Sequence, residues 1–298
     1  MKPLTIAGYA LGCLYPASAK RQPVGTTIAQ LQTSGFNTVV LGLLHIGHGP
    51  AIEPLQDLGA LYFNDELIVV GNQYRGDPGW PDLIASLPNS KVNTLCASIG
   101  GAGVRDFAWL KQIYEANGNS FDGTLVQSSM REFHKQFPAI SIIDLDCEET
   151  YDADSLVAFC KMLIDIGFGI SFCPYTMQDF WVAALAQLEA YQPGAVRHWN
   201  LQCYEGGGGN VPAQWAAAIQ AALPEFDTDG FILAGGEAGN PLALQGLLQR
   251  LDAPCVGGGF VWTLDQLVQP DTMPAYAAAI QQALGATPVA AHALPAHA

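Results

Sequence analysis

The feature that most constrains this chain is an alternation repeated along nearly its whole length: short apolar, β-branched runs separated by segments of helical period. Strand, helix and strand in succession make the βαβ unit, which builds parallel sheets and argues against a sandwich or a helical bundle. Eight runs read as strands, at 4–9, 38–44, 92–99, 140–148, 169–174, 198–204, 230–235 and 256–264. The segments 26–33, 104–117 with 125–137, 153–166, 178–191, 213–223 and 241–251 read as helices, and 273–284 as a closing one. Eight units without a break in composition predict one α/β domain over residues 1–285, a single (β/α)8 TIM barrel; the 298-residue length fits such a barrel, usually about 250 residues plus insertions. Asp152 and Asp154 stand where an N-cap would start the 153–166 helix, and Gly167 where a left-handed residue would end it. Residues 45–90 are the irregular unit, a loop rich in Gly, Pro and Asn with one strand-like run at 67–70; loops this long tend to carry function. The tail 286–298 is Ala, Pro and His without period and is expected to be disordered.

Half of the residues are hydrophobic and 13% are charged, which suits a large packed core. A net charge of -15 opposes attraction to phosphate backbones and anionic membranes, so neither nucleic acid nor membrane is expected as a partner. No run of 18 apolar residues occurs. Met1 and Lys2 followed by an apolar stretch ending in Ala17-Ser18-Ala19 imitate a signal peptide. Gly8, Tyr9, Gly12 and Pro16 interrupt that stretch, and cleavage would remove the first strand, so a cytoplasmic protein, or one exported without a standard signal, is expected. The seven cysteines, at 13, 96, 147, 160, 173, 203 and 255, show no close metal-type spacing and read as reduced, buried thiols. No cofactor is expected.

The chemistry is concentrated in Ser141-Ile-Ile-Asp144-Leu-Asp146-Cys-Glu148. The three acids fall at i, i+2 and i+4, and a strand's period of two puts them on one face, with Ile143, Leu145 and Cys147 on the other. The apolar face packs under the helices, so the carboxylates point inward, stacked toward the C-terminal mouth where barrel active sites lie. Like charges a few ångströms apart cannot all ionise; at least one pKa must rise, which is how a general acid is made.

These residues resemble glycoside hydrolase family 18, the chitinases and endo-β-N-acetylglucosaminidases. The family's fourth-strand motif, Asp-x-x-Asp-x-Asp-x-Glu, matches at Asp144, Asp146 and Glu148, with Ser141 where the first Asp is expected. Other marks follow in order: Ala7-Gly8-Tyr9 on strand one, Ser98-Ile99-Gly100-Gly101 ending strand three, Gln202-Cys203-Tyr204 on strand six and Trp262 on strand eight. The resemblance implies a retaining, substrate-assisted hydrolase of β-1,4 links next to N-acetylglucosamine, in chitin or another N-acetylglucosamine oligosaccharide. It implies Glu148 as the general acid, Asp146 orienting the acetamido N–H, Asp144 holding Asp146, Tyr204 bonding the acetamido carbonyl and Trp262 as the floor under the sugar. Tyr175, Gln202, Tyr9 and Ser98 are carried over as candidate substrate-binding residues, no enzyme nucleophile is needed, and no metal is implied.

Three positions depart from the pattern. Ser141 removes an acid expected to be buried and to tune the pair, Cys147 replaces an aromatic beside the acid, and Glu205 stands where Asn often follows the Tyr. All three are expected to alter rate and pH optimum rather than abolish the site. Gly206–Gly209 with Asn210 lacks the Lys and Ser/Thr of a phosphate loop and reads as a flexible mouth loop. His45 and His48 have a spacing that would suit a metal on a helix, but Gly47 and Gly49 point to a turn. Glu237 is expected at the mouth, and Trp80, Trp109, Trp181, Trp199 and Trp215 mostly in the core. The short stretch 236–255 leaves no room for the small domain that deepens the groove in many family members, so a shallow, endo-type cleft is expected. Two other readings compete: a catalytically silent lectin-like or inhibitor-like barrel, and an unrelated barrel whose acids hold a divalent cation.

Overall fold

The computed structural model describes residues 3–47, 58–269 and 272–285. In chain order the elements are β1 (Thr5–Ala10), α1 (Val24–Ser34), β2 (Thr38–Ile46), β3 (Leu61–Phe63), β4 (Glu66–Val70), β5 (Gln73–Tyr74), α2 (Trp80–Ala85), β6 (Thr94–Gly100), α3 (Asp106–Ala116) and α4 (Leu125–Gln136). They continue with β7 (Ile140–Asp146), α5 (Ala153–Ile166), β8 (Gly169–Phe172), α6 (Gln178–Tyr191), β9 (Val196–Gln202), α7 (Pro212–Ala222), β10 (Ile232–Glu237), α8 (Pro241–Leu251), β11 (Val256–Trp262) and α9 (Thr272–Leu284). Eight of these strands, in the order β1-β11-β10-β9-β8-β7-β6-β2, pair in parallel, and β1 pairs with β2 to close the ring. The expected single (β/α)8 barrel is the fold. The tail 286–298 lies outside the described residues.

Local chemistry explains the element ends. Asp152 caps α5, its Oδ1 accepting the Ser155 N–H at 3.1 Å, and Gly167 closes it at φ 121°. Thr124 and Asn240 cap α4 and α8 in the same way. The irregular second unit holds more order than the one run at 67–70 implied: β3 pairs antiparallel with β2, and β4 and β5 extend the same edge. Four strands, β7, β8, β9 and β11, end earlier than the apolar runs suggested. β7 stops at Asp146 because the next carbonyl-to-amide link leaves the ladder, the Gly101 N–H donating to the Asp146 carbonyl at 2.8 Å. β9 stops at Gln202, whose carbonyl accepts Asn210 Nδ2 at 2.8 Å, and β11 stops at Trp262.

The main core lies between the strands and the helices, with Trp80, Trp181, Trp199, Phe36, Phe133 and Phe172 wholly enclosed. Each buried Phe of this kind contributes roughly 1.5–3 kcal/mol. Trp109 and Trp215 are buried as well, so none of the five tryptophans assigned to the core forms a surface track. A second, smaller cluster fills the barrel itself: Ala7, Tyr9, Val40, Cys96, Ile142, Cys173, Leu233 and Phe260. Glycine is required there at Gly235, where a Cβ would meet the Phe260 ring at 2.0 Å. Among the described residues no helix is long and apolar enough to cross a membrane. All seven cysteines are free and buried.

Candidate active site

Register across three strands builds the bottom of the site. Ser98 on β6 pairs with Asp144 on β7, and Asp144 with Ser171 on β8, so three polar side chains enter the barrel in one row. Asp144 is fully buried and its carboxylate is saturated. Tyr9 Oη and Ser98 Oγ each donate to Oδ2 at 2.8 Å, and Ser171 Oγ and Asn200 Nδ2 donate to Oδ1 at 2.7 and 3.0 Å. Four donors on two oxygens fill the acceptor sites of the Asp144 carboxyl group.

Tyr9 and Ser98 are themselves fully buried, and both donate to Asp144. Asp144 makes no hydrogen bond to Asp146 among the described residues; it acts on Asp146 through its charge. Ser141 is not at the buried position expected of it. It lies where β7 slips by one residue against β6, between the pairs Leu95–Ile140 and Cys96–Ile142, and its side chain is exposed. A residue at a bulge leaves the ladder, and an odd step from Asp144 sets this one on the opposite face. The acidic column therefore has its full depth without position 141.

Asp146 stands one step nearer the mouth. Burial, then the Glu148 and Asp144 charges, push its carboxyl well above the usual carboxylate range, so it holds a proton where an ordinary Asp has lost it. Glu148 lies beyond the end of β7 and is half-buried at the rim. One amide joins the two: Gln202 Nε2 lies 3.0 Å from Asp146 Oδ1 and 3.3 Å from Glu148 Oε1, and 3.2 Å from the Cys173 carbonyl. Gln202 is buried, and its amide bridges the pair. Burial and the Asp146 and Asp144 charges also push the Cys173 thiol up, which keeps it a neutral neighbour of Tyr9 and Gln202.

Tyr204 and Trp262 are half-buried and pack on the cluster that fills the barrel, forming its upper surface at the mouth. The Tyr204 ring meets Phe260 edge-on at 6.2 Å, and Trp262 meets Tyr9 at 5.4 Å. Burial raises the Tyr204 phenol well above its ordinary value, with Cys173, Asp146, Glu148 and the exposed Glu237 adding to the effect, so its O–H remains a donor facing the acids. Tyr175 is half-buried beside Tyr151, and its carbonyl accepts Asn210 Nδ2 at 2.8 Å. The glycine run after β9 is a short 3-10 turn, Glu205–Gly207, pinned from beneath by Asn210 and with no room for a Cβ at Gly207.

The chain matches no protein-family model and no curated protein. Among solved structures it superposes on a class V chitinase from Nicotiana tobaccum with a TM-score of 0.56 at 10% identity, covering 93% of this chain and 98% of the other. A mutant of that enzyme in complex with NAG4 gives 0.57 at 10% identity, again covering 93% and 98%. A chitinase-like agglutinin from Robinia pseudoacacia gives 0.54 at 10% identity, covering 92% and 98%. The fold is chitinase-like.

Several residues of this barrel carry no mark in the acidic motif. Ser171 and Asn200 complete the Asp144 shell; the inward alternation His198, Asn200, Gln202 along β9 is a sequence signal that could have found Asn200. His198 Nε2 and Asn200 Oδ1 are buried with no hydrogen-bond partner among the described residues. Burial lowers the His198 pKa to about 4, against the opposing pull of Asp144, so the ring is neutral near neutral pH. His45 is on a strand, not a helix, and its Nδ1 meets Asp106 Oδ2 at 2.8 Å; His48 lies outside the described residues. Among the described residues no group of three or more His, Cys, Asp or Glu side chains is arranged to hold a metal ion. Between β10 and β11 the chain forms α8 and no further domain.

Proposed function

We propose that this barrel hydrolyses β-1,4 links next to N-acetylglucosamine, in chitin oligomers or related glycans, with retention of configuration. The observation that carries the reading is the Asp146–Glu148 pair, joined by the single Gln202 amide and seated on an Asp144 that four donors have saturated. Burial and neighbouring charges favour the protonated form of Asp146, and a proton available beside the rim carboxyl is the requirement for a general acid. Glu148, nearer solvent, gives that proton to the glycosidic oxygen as the carbon–oxygen bond breaks. The 2-acetamido carbonyl oxygen of the substrate closes on the anomeric carbon to give an oxazolinium ion. Water then attacks that carbon, Glu148 takes the water's proton, and the acetamido group is restored.

The remaining side chains fit defined parts of this cycle. Asp146 accepts the acetamido N–H, aligning the group for attack and balancing the positive charge that develops on it. Tyr204 donates its phenolic O–H to the acetamido carbonyl, and the Trp262 ring lies under the sugar. Tyr175 stands at the rim on the β8 side and would meet the chain beyond the cleaved bond. With only α8 between β10 and β11, the cleft has no side wall there, which suits attack within a chain.

The test is release of fluorophore from chitobiose and chitotriose conjugates by the wild type and by Glu148→Gln, across acidic to neutral pH. Release by the wild type, lost in Glu148→Gln, is the expected result. Failure of both to release, with chitooligosaccharide still bound, would replace the hydrolase with a sugar-binding barrel. Release that disappears with a chelator would instead favour a metal-dependent enzyme.

A further inference from the structure

Glu148 lies two residues past the last ladder position of β7, so the sheet does not hold its main chain. A general acid needs a fixed backbone, because a displacement of about 1 Å at the reacting group can cost about a hundredfold in rate. What holds it is the next residue. The half-buried Glu149 side chain turns back so that Oε2 accepts the Glu148 N–H at 3.3 Å, while Oε1 accepts the Phe107 N–H at 2.9 Å. Phe107 is the second residue of α3, and its N–H is one of those a helix leaves without an internal partner. Arg105, at the N-cap position of α3, supplies no side-chain cap, so this carboxylate from the acid loop does part of that work.

The end of α3 that receives it is itself anchored. Asp106 is buried, and its carboxylate accepts the Ile46 N–H at 2.6 Å and meets His45 Nδ1 at 2.8 Å. The first turn of α3 is thereby tied to the end of β2 on one side and to the acid loop on the other. Burial pushes the Glu149 carboxyl up, while its backbone N–H partners pull it down, which fits a group held in place by those donors.

We propose that Glu149 is a positioning residue for the reaction, fixing the Glu148 main chain against the first turn of α3 so that the Glu148 carboxyl stays beside Gln202 and Asp146. The inference rests on the hydrolase reading above. It is tested with Glu149→Ala, which removes both acceptors, and Glu149→Gln, which keeps the shape and one of them. With the fluorogenic chitotriose conjugate, Glu149→Ala should lose roughly ten- to a hundredfold in kcat, the equivalent of one or two hydrogen bonds to a charged group, and Glu149→Gln should recover part of that loss. KM should stay within roughly twofold for both variants, because the carboxylate does not touch the sugar. Amide exchange at Glu148 provides a readout independent of turnover: protected in the wild type, unprotected in Glu149→Ala. A kcat per folded molecule that does not fall while that protection is lost would reduce Glu149 to a helix cap and overturn the proposal. Absence of protection in the wild type would overturn the clamp itself. If the wild type releases no fluorophore, the hydrolase reading falls and the catalytic sense of the clamp with it, while the exchange result still reports whether the clamp exists.

Discussion

His198 offers a measurement in which the barrel interior reports its own electrostatics. In the unfolded chain an imidazole titrates near 6.5, and in the folded barrel burial holds His198 at about 4. Between those values the unfolded chain binds a proton that the folded chain refuses, so stability is retained above the upper value and lost as pH falls toward the lower one. At about 1.4 kcal/mol per pH unit, the gap amounts to roughly 3 kcal/mol as a ceiling. Asp146 and Glu149 work in the opposite sense: their folded-state pKa values are raised, so the folded form keeps protons longer and their contribution is lost as pH rises. The pH dependence of the wild type alone therefore mixes opposing contributions. The comparison with His198→Gln separates them, because the carboxylates are common to both proteins. Equilibrium denaturation at neutral pH and at a pH near 4.5 should show the wild type losing roughly 2 kcal/mol more stability on acidification than the variant. Parallel losses in the two proteins would show that His198 is not buried in its neutral form, and the placement of the ring beneath Asp144 would have to be abandoned.

Gln202→Leu removes an N–H donor that favours the charged form of Asp146, so that carboxyl should hold its proton to higher pH. The basic limb of the hydrolysis profile should move up by roughly one pH unit, with kcat down at least roughly tenfold; an unmoved limb would remove Gln202 from the proton's environment. Ser141→Asp restores the expected family residue on an exposed outward side chain and should change stability by no more than roughly 0.5 kcal/mol, with an unchanged pH optimum in the same assay.

The periods carried most of the fold. The helices 153–166, 178–191 and 241–251 were legible residue for residue, because caps such as Asp152 and Gly167 mark their ends locally. Strand ends were not, since the stops at Asp146 and Gln202 depend on Gly101 and on Asn210, which reach those carbonyls from other parts of the chain. In the site, a period of two placed Asp144 and Asp146 inward, and the same rule argues against the role first given to Ser141: it stands three residues from Asp144, an odd step, and so belongs to the opposite face. Residues that hold the acids were harder to see. Ser171 in Gly-Ile-Ser-Phe looks like a small residue in an apolar strand until the β7–β8 register sets it opposite Asp144. Glu149 reads as one more acid in a polar turn, and only the meeting of that turn with α3 gives it a function.

The order of support along the column gives the proposed chemistry its direction. Asp144 has four donors, Asp146 and Glu148 share one amide, and exposure increases from the first to the last. Charge is therefore best tolerated at the bottom, while burial and two neighbouring charges favour the neutral form of Asp146. A sugar bearing an acetamido group would bring to Asp146 a further N–H donor beside that of Gln202. A donor favours the ionised carboxylate, so the proton would pass toward Glu148 as the substrate settles. A sugar with a plain hydroxyl at that carbon can also donate to Asp146, but it has no carbonyl to attack the anomeric carbon or to meet Tyr204. Under this scheme a preference for N-acetylglucosamine would not require a separate recognition pocket, because the contact that identifies the sugar would be the one that arms the acid.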